Sequence, residues 1–220
     1  MAFDLHSTWS ALPALIGAAR MTLGVSLAAM ALGLAGAIAL TFLEARAGSL
    51  GTRLLHGMQS LVFGMPPLVM ILMAYYVLPA AGIDLGALGA GIAALSIFSA
   101  FFLKEALRGA FQAIPGGLIE AAEALGLKSP VIWFKLRIPL ILRGMIPALV
   151  NEATLVVKAT ALLSAITVTD VMRSAQQIYA ANYRPIETLL AAALVYAAIN
   201  LTIAFLGARL EARFRLADRP

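Results

Sequence analysis

Apolar runs separated by short polar stretches dominate this chain from residue 12 to residue 206. Five runs, at about 12–43, 54–78, 87–110, 138–157 and 188–206, are long enough and sparse enough in charge to cross a bilayer as helices. The pattern predicts an all-α membrane protein with five transmembrane helices, forming a single transmembrane domain over residues 1–220. Residues 161–183 are half apolar and half polar, too short and mixed for a further span, and read as a part-inserted helix followed by a surface segment. Proline interrupts the pattern at Pro66-Pro67, Pro139 and Pro147. In a helix interior each removes a hydrogen bond, and the freed carbonyl needs a neighbour or water. Small residues are dense in or beside the spans: Gly33 and Gly36, Gly82 and Gly86 in a G-x-x-x-G, Gly89 and Gly91. Within a span they let helix backbones approach closely, and ordinary bundle packing explains them.

Composition narrows the class. The 220 residues are 62% hydrophobic and 12% charged, with mean hydropathy +0.94, far from a soluble domain. No cysteine is present, which excludes a disulfide framework and a thiolate metal site. The formal charge of +5 does not point to nucleic acid, because the basic residues flank apolar runs and form no continuous face. The first 17 residues carry Asp4 and no Lys or Arg, so they lack the basic start of a cleaved signal. The apolar run that follows, from Met21, reads as a retained helix.

Charge bias then orients the chain. Arg46 and Arg53 follow the first run; Lys104, Arg108, Lys128, Lys135, Arg137 and Arg143 surround the loop after the third; Arg209, Arg213, Arg215 and Arg219 form the tail. The other side holds Arg20, Arg173, Arg184 and Lys158 against Asp4, Asp84, Asp170 and Glu187. The positive-inside rule places the N-terminus outside and puts the C-terminus and the loop at 114–139 in the cytoplasm.

That loop is the most informative polar stretch. Ile114-Pro115-Gly116-Gly117 breaks the third helix, and residues 118–127 read as a short helix stopped by Gly126 and Ser129-Pro130. Glu120 and Glu123 fall near its expected start, where the helix dipole favours carboxylates. Leu118, Ala121, Ala122 and Leu125 make an apolar stripe small enough to enter a partner's groove. The competing reading is a helix resting on lipid headgroups, against which the two glutamates argue, since anionic lipid would repel them.

Glu120-Ala121-Ala122, Gly126 and Leu136-Arg137-Ile138-Pro139 resemble the E-A-A-x3-G-x9-I-x-L-P signature of ABC importer permeases, with Leu136 and Ile138 in place of its Ile and Leu. Further segments agree. Lys104-Glu105-Ala106-Leu107-Arg108-Gly109-Ala110 is similar to the A-E-x-x-R-G-A stretch of polar amino acid permeases. Pro147 with Asn151, and Lys158-Ala159-Thr160-Ala161-Leu162-Leu163-Ser164, resemble their P-x-x-x-N and K-x-T-A-L-x-S segments. Tyr196 and Glu211 match a tyrosine of the last span and a glutamate after it, so the likeness covers about 22–213. Phe63-Gly64-Met65-Pro66 departs from the usual R-G-T-P, Gly117-Leu118 from G-Q, and Lys158-Ala159-Thr160-Ala161 from K-D-T-S. The last form is closer to the branch handling basic amino acids and opines.

The resemblance implies a type I importer permease in a bacterial inner membrane, with the loop as coupling helix. Its implied partners are a pair of P-loop ATPase subunits, an extracytoplasmic solute-binding protein, a second permease chain, homologous or identical, and membrane lipid. The docking residues it implies are Glu120, Ala121, Ala122 and Gly126. The chain has no G-x-x-x-x-G-K-[ST] phosphate loop, so ATP would be hydrolysed by a separate subunit. No cofactor, metal site or catalytic residue is expected. His6 and His56 are isolated, and Ser164 and Thr167 have no histidine nearby in sequence.

Candidates for the substrate path come from the fourth run. Asn151, Thr154 and Lys158 share one helical face, with Glu152 flanking it. An ammonium at mid-membrane costs about 2.5–3.5 kcal/mol on insertion scales, so Lys158 should face a cavity or partner. The face either lines the path or leaves Lys158 to snorkel to headgroups or to pair with an acid. Arg20 reads as a snorkelling side chain, and Glu105 with Arg108 as an ion pair three residues apart. A permease for another small polar solute is the nearest alternative. A membrane-embedded enzyme would bring His, Asp or Cys clusters within its spans, and a scaffold subunit would need no acidic docking helix.

Overall fold

A computed structural model describes residues 4–216. Among them every regular element is helical. The helices are α1 (Leu5–Arg46), α2 (Ser49–Gly64), α3 (Pro67–Ala80), α4 (Gly86–Gln112), α5 (Gly116–Ala124), α6 (Ser129–Ile132), α7 (Ile138–Ala159), α8 (Val171–Asn182) and α9 (Pro185–Leu216). A π-helical turn, Trp133–Arg137, joins α6 to α7, and a 3-10 segment, Thr160–Ile166, follows α7. Arg219 lies outside the described residues.

Four helical stretches are long and apolar enough to cross a membrane: α1, α4, the run Ser129–Ile166, and α9. The second apolar run does not form a straight helix. It breaks into α2 and α3, bent by 105°. The cause is local. Met65 precedes Pro66, and Pro66 precedes Pro67, so both are pushed out of the helical region, to ψ 135° in each case. Pro67 then starts α3 at a position where its missing N–H costs nothing.

The central helix is α4, with 50% of its apolar window buried against 28% for α1 and 17% for α9. It lies against α1 at Gly33 and Gly36. A Cβ at Gly33 would meet the Ser99 Cβ at 2.6 Å, and one at Gly36 would meet the Ala100 Cβ at 2.9 Å. The other end of the same crossing, at the C-terminus of α1, is tied by charge. Lys104, 1% exposed, donates to Glu44 at 2.7 Å, and the Glu44 carboxylate also meets His56 of α2 at 2.9 Å. Lys104 reads as a loop charge in the sequence, but the structure buries it. Glu105 and Arg108 pair at 2.8 Å on the exposed side of α4.

Two apolar clusters follow from this frame. One gathers Val25 and Ala29 of α1, Ile71 of α3, Leu95 and Phe101 of α4, Val156 of α7 and Leu163 of the 3-10 segment. The other packs the first half of α1, at Leu15 and Ala19, against Val171 and Ala175 of α8 and Ala191 and Val195 of α9. Helix α1 therefore serves both. Gly82 and Gly86, which the G-x-x-x-G spacing suggests as a packing face, instead flank the connection, Gly82 in the turn after α3 and Gly86 at the first position of α4, with φ of 85° and 62°. The tightest α7–α9 approach is at Gly207, where a Cβ would meet Val150 Cγ2 at 2.5 Å.

The segment 161–183 is more deeply built in than a surface stretch. Asp170 is fully buried, caps α8 by accepting from the Arg173 N–H at 2.9 Å, and accepts from the Tyr196 hydroxyl of α9 at 2.8 Å. The Val171 N–H donates to Thr22 of α1 at 3.3 Å, and Ser164 accepts from Gln176 at 3.3 Å.

Replacing Gly33 by Val forces side-chain carbon into the Ser99 contact and should cost roughly 1–3 kcal/mol. The expected result is a lower unfolding temperature in detergent, measured by scanning fluorimetry, while Gly17→Val, where nothing lies within 4 Å, stays near wild type.

Candidate docking helix and translocation face

Both candidate sites grow out of α7 and the loop before it. Helix α4 stops at Gln112, and Pro115 caps α5 from extended backbone at ψ 125°. Helix α5 thus begins at Gly116, two residues before the expected Leu118, because the glycines after Pro115 are taken into its first turn. Glu120 and Glu123 fall in its middle and second half, not in its first turn, so the dipole does not hold them there. Both are exposed, as are Ala121 and Leu118; Leu125 is 81% exposed, whereas Ala122 is turned inward at 5%. The apolar stripe of four is in fact an open edge of three with Ala122 as its anchor.

Gly126 closes the helix. Its φ is +74°; its N–H donates to Glu123 O at 2.9 Å, and the Leu127 N–H donates back to Ala122 O at 3.1 Å. This pair of bonds is the Schellman arrangement, and a Cβ-bearing residue pays a steric penalty at that φ.

On α7, Asn151 and Lys158 are exposed and Thr154 is partly exposed between them, so the structure brings these three to one open face. The Thr154 hydroxyl donates to the Asn151 carbonyl at 2.8 Å. Glu152 does not join them. It is fully buried in the α4–α7 contact, accepting from the Ser99 hydroxyl at 2.5 Å, while its Oε2 has no hydrogen-bond partner among the described residues. One residue's rotation on a helix carried it to the opposite, packed side. The same Ser99 meets Gly33 of α1, so the buried carboxyl stands where three helices converge.

Among the described residues no group of three His, Asp or Glu side chains could hold a metal ion. The buried polar contacts that sequence reasoning missed are Lys104 with Glu44 and Asp170 with Tyr196. The only sequence signal for either was a charge at the edge of an apolar run.

The family described as binding-protein-dependent transport system inner membrane component matches residues 30–216. The chain belongs to this family. It is a multi-pass inner-membrane transport component, and the family's permeases are not themselves enzymes. It is 35% identical to the glutamine transport system permease protein GlnP of Escherichia coli K12, over 98% of this chain and all of that one. It is 34% identical to the arginine ABC transporter permease protein ArtQ of Haemophilus influenzae, over 92% of this chain and 94% of that one. Among solved structures, an amino acid ABC transporter crystallised with histidines superposes with a TM-score of 0.88 at 28% identity, covering 97% of this chain and 100% of that one. The all-helical architecture, with four spanning helices and a fifth span if the bent α2–α3 pair counts as one, is thus that of an ABC importer permease.

Gly126→Ala should destabilise the end of α5 by about 1–2 kcal/mol, the cost of left-handed backbone for a residue with a Cβ. Hydrogen exchange at Leu125, Gly126 and Leu127 should speed up while the amides of α4 keep their protection.

Proposed function

We propose that this chain is the membrane-spanning permease subunit of a binding-protein-dependent ABC importer for polar amino acids, with α5 as its docking point for the ATPase. The observation that carries the reading is the open edge of α5. Leu118, Ala121 and Leu125 lie exposed beside Glu120 and Glu123 on a nine-residue helix with little packing of its own. An exposed apolar edge flanked by carboxylates suits a groove in a soluble partner better than an anionic lipid surface. The end-to-end likeness to amino acid permeases supports the same assignment.

In this reading the N-terminus is outside and the C-terminus and α5 are cytoplasmic, as the excess of Arg and Lys at those ends requires. Two ATPase subunits hydrolyse ATP and move α5; an extracytoplasmic binding protein delivers the amino acid; a second permease, identical or homologous, completes the path. The open face of α7, with Asn151, Thr154 and Lys158, is poorly suited to lipid and lines that path. There the Lys158 ammonium meets the α-carboxylate that every amino acid carries. Glu152 acts from behind this face, setting the position of α7 against α4. Basic amino acids and opines are the favoured substrates within the class, on the Lys158-Ala159-Thr160-Ala161 form.

Co-expression with the partner subunits should let the tagged permease retain a P-loop ATPase through purification, and Gly126→Arg should abolish both that retention and uptake. Retention and uptake unchanged in the variant would sink the docking assignment. Lys158→Met should lower uptake of labelled L-arginine and L-glutamine at least tenfold with assembly intact. Normal uptake in assembled complexes would leave Lys158 as a snorkelling side chain.

A further inference from the structure

We propose that Arg137 is a positioning residue that joins the docking helix mechanically to the membrane helices, through a cation–aromatic stack with Trp133 and Phe111. The proposal rests on the docking reading of α5. On that reading, displacement of α5 has to reach α4 and α7, and the backbone is poorly made to carry it. Pro115 interrupts the helical backbone on one side of α5, and Gly126 interrupts it on the other before the continuous run Ser129–Ile166 begins. Among the other helices, α5 packs chiefly against the four-residue α6.

Side chains bridge the gap. Phe111, in the last turn of α4, stacks on Trp133 with ring centroids 6.1 Å apart and planes at 23°. The Arg137 guanidinium carbon lies 4.9 Å from the Trp133 centroid and 5.7 Å from that of Phe111, within reach of both π faces. Arg137 and Phe111 also line a cleft with Ile119 and Glu120 of α5. One guanidinium therefore meets the end of α4, the root of α7 and a cleft walled by the docking helix.

The π-helical turn makes this placement possible. The Ile138 N–H donates to the Trp133 carbonyl, five residues back, so the turn is wider than an α-turn and carries Trp133 and Arg137 at its two ends. Such turns are uncommon and concentrate at functional sites. The stack is half exposed, with Phe111 at 43% and Trp133 at 40%, so each contact is modest and can re-form within a transport cycle. A simple interfacial anchor would need Trp133 alone. It would not need Arg137 turned back over two rings.

The test uses the full transporter, with ATPase, both permeases and binding protein, in vesicles, with labelled L-arginine and L-glutamine as probes. Arg137→Ala should leave the ATPase bound and ATP hydrolysis running, while amino acid carried per ATP falls roughly three- to fivefold, the factor matching loss of a half-exposed cation–π contact. Phe111→Leu, which removes a ring from α4 and leaves the loop sequence intact, should give the same loss. Combining the two should add little, because they break one node. Arg137→Lys should recover part of the ratio by keeping a cation over the rings. An unchanged ratio in Arg137→Ala complexes overturns the proposal, and so does loss of the ATPase from the complex, which would make Arg137 part of the dock. ATPase retention is read separately from the ratio, so failure of the docking reading shows as retention in Gly126→Arg and cannot be mistaken for failure of the Arg137 node.

Discussion

The close crossing of α1 and α4 is the constraint on which the other helices depend. Lipid gives two apolar helices no hydrophobic reason to meet, so contact has to come from shape and from polar bonds. Here both act along one seam. Gly33 and Gly36 remove side chains where Ser99 and Ala100 come in, and the Glu44–Lys104 pair closes the end nearest the C-terminus of α1. Once α1 and α4 are fixed, α3, α7 and the 3-10 segment fill one side of the seam. The first half of α1 collects α8 and α9.

Ser99 shows how packing and polarity are combined at this seam. Its Cβ occupies the space Gly33 leaves, and its hydroxyl donates to the buried Glu152 of α7. A small polar residue thus brings three helices to one point. Among the described residues Glu152 has one hydrogen-bond donor and no cation beside it, and such a carboxyl is expensive to keep within a membrane domain. Its retention makes the register of α7 against α4 specific, because sliding α7 by one residue would leave Glu152 without Ser99. The open face with Lys158 inherits its direction from that register.

The spans were legible in the sequence because crossing a bilayer is a property of consecutive residues, and the family signature was legible because its spacing is local. Even the bend in the second run was written in Pro66-Pro67, although a hydropathy window averages across it. What the sequence did not show was pairing. Lys104 sits at the polar edge of an apolar run and counts as a loop charge unless its partner Glu44, at the end of another helix, is known. Asp170 was hidden likewise by Tyr196 on a distant helix. Glu152 adjoins Asn151 in sequence, and a rotation of about 100° per residue was enough to separate a packed role from an open one. The start of α5 was misplaced because Gly116 and Gly117 read as helix breakers, whereas after a capping proline they enter the first turn.

These placements divide the molecule mechanically. The α1–α4 seam is tight, charge-locked and buried, whereas the loop carrying α5 is exposed and interrupted by proline and glycine. A transporter needs both. If the seam were loose, movement at the loop carrying α5 would be lost in deforming the bundle. If the loop were rigid throughout, it could not follow a partner that changes shape. The C-terminal end of α4 is where the two regimes meet. Lys104 locks it to α1, and two turns later Phe111 stacks on the root of α7. A displacement arriving at Phe111 therefore acts on a helix already braced by α1. The root of α7 meets that braced end, and α7 carries the Asn151–Lys158 face, so the stack at Phe111 stands between the loop and that face.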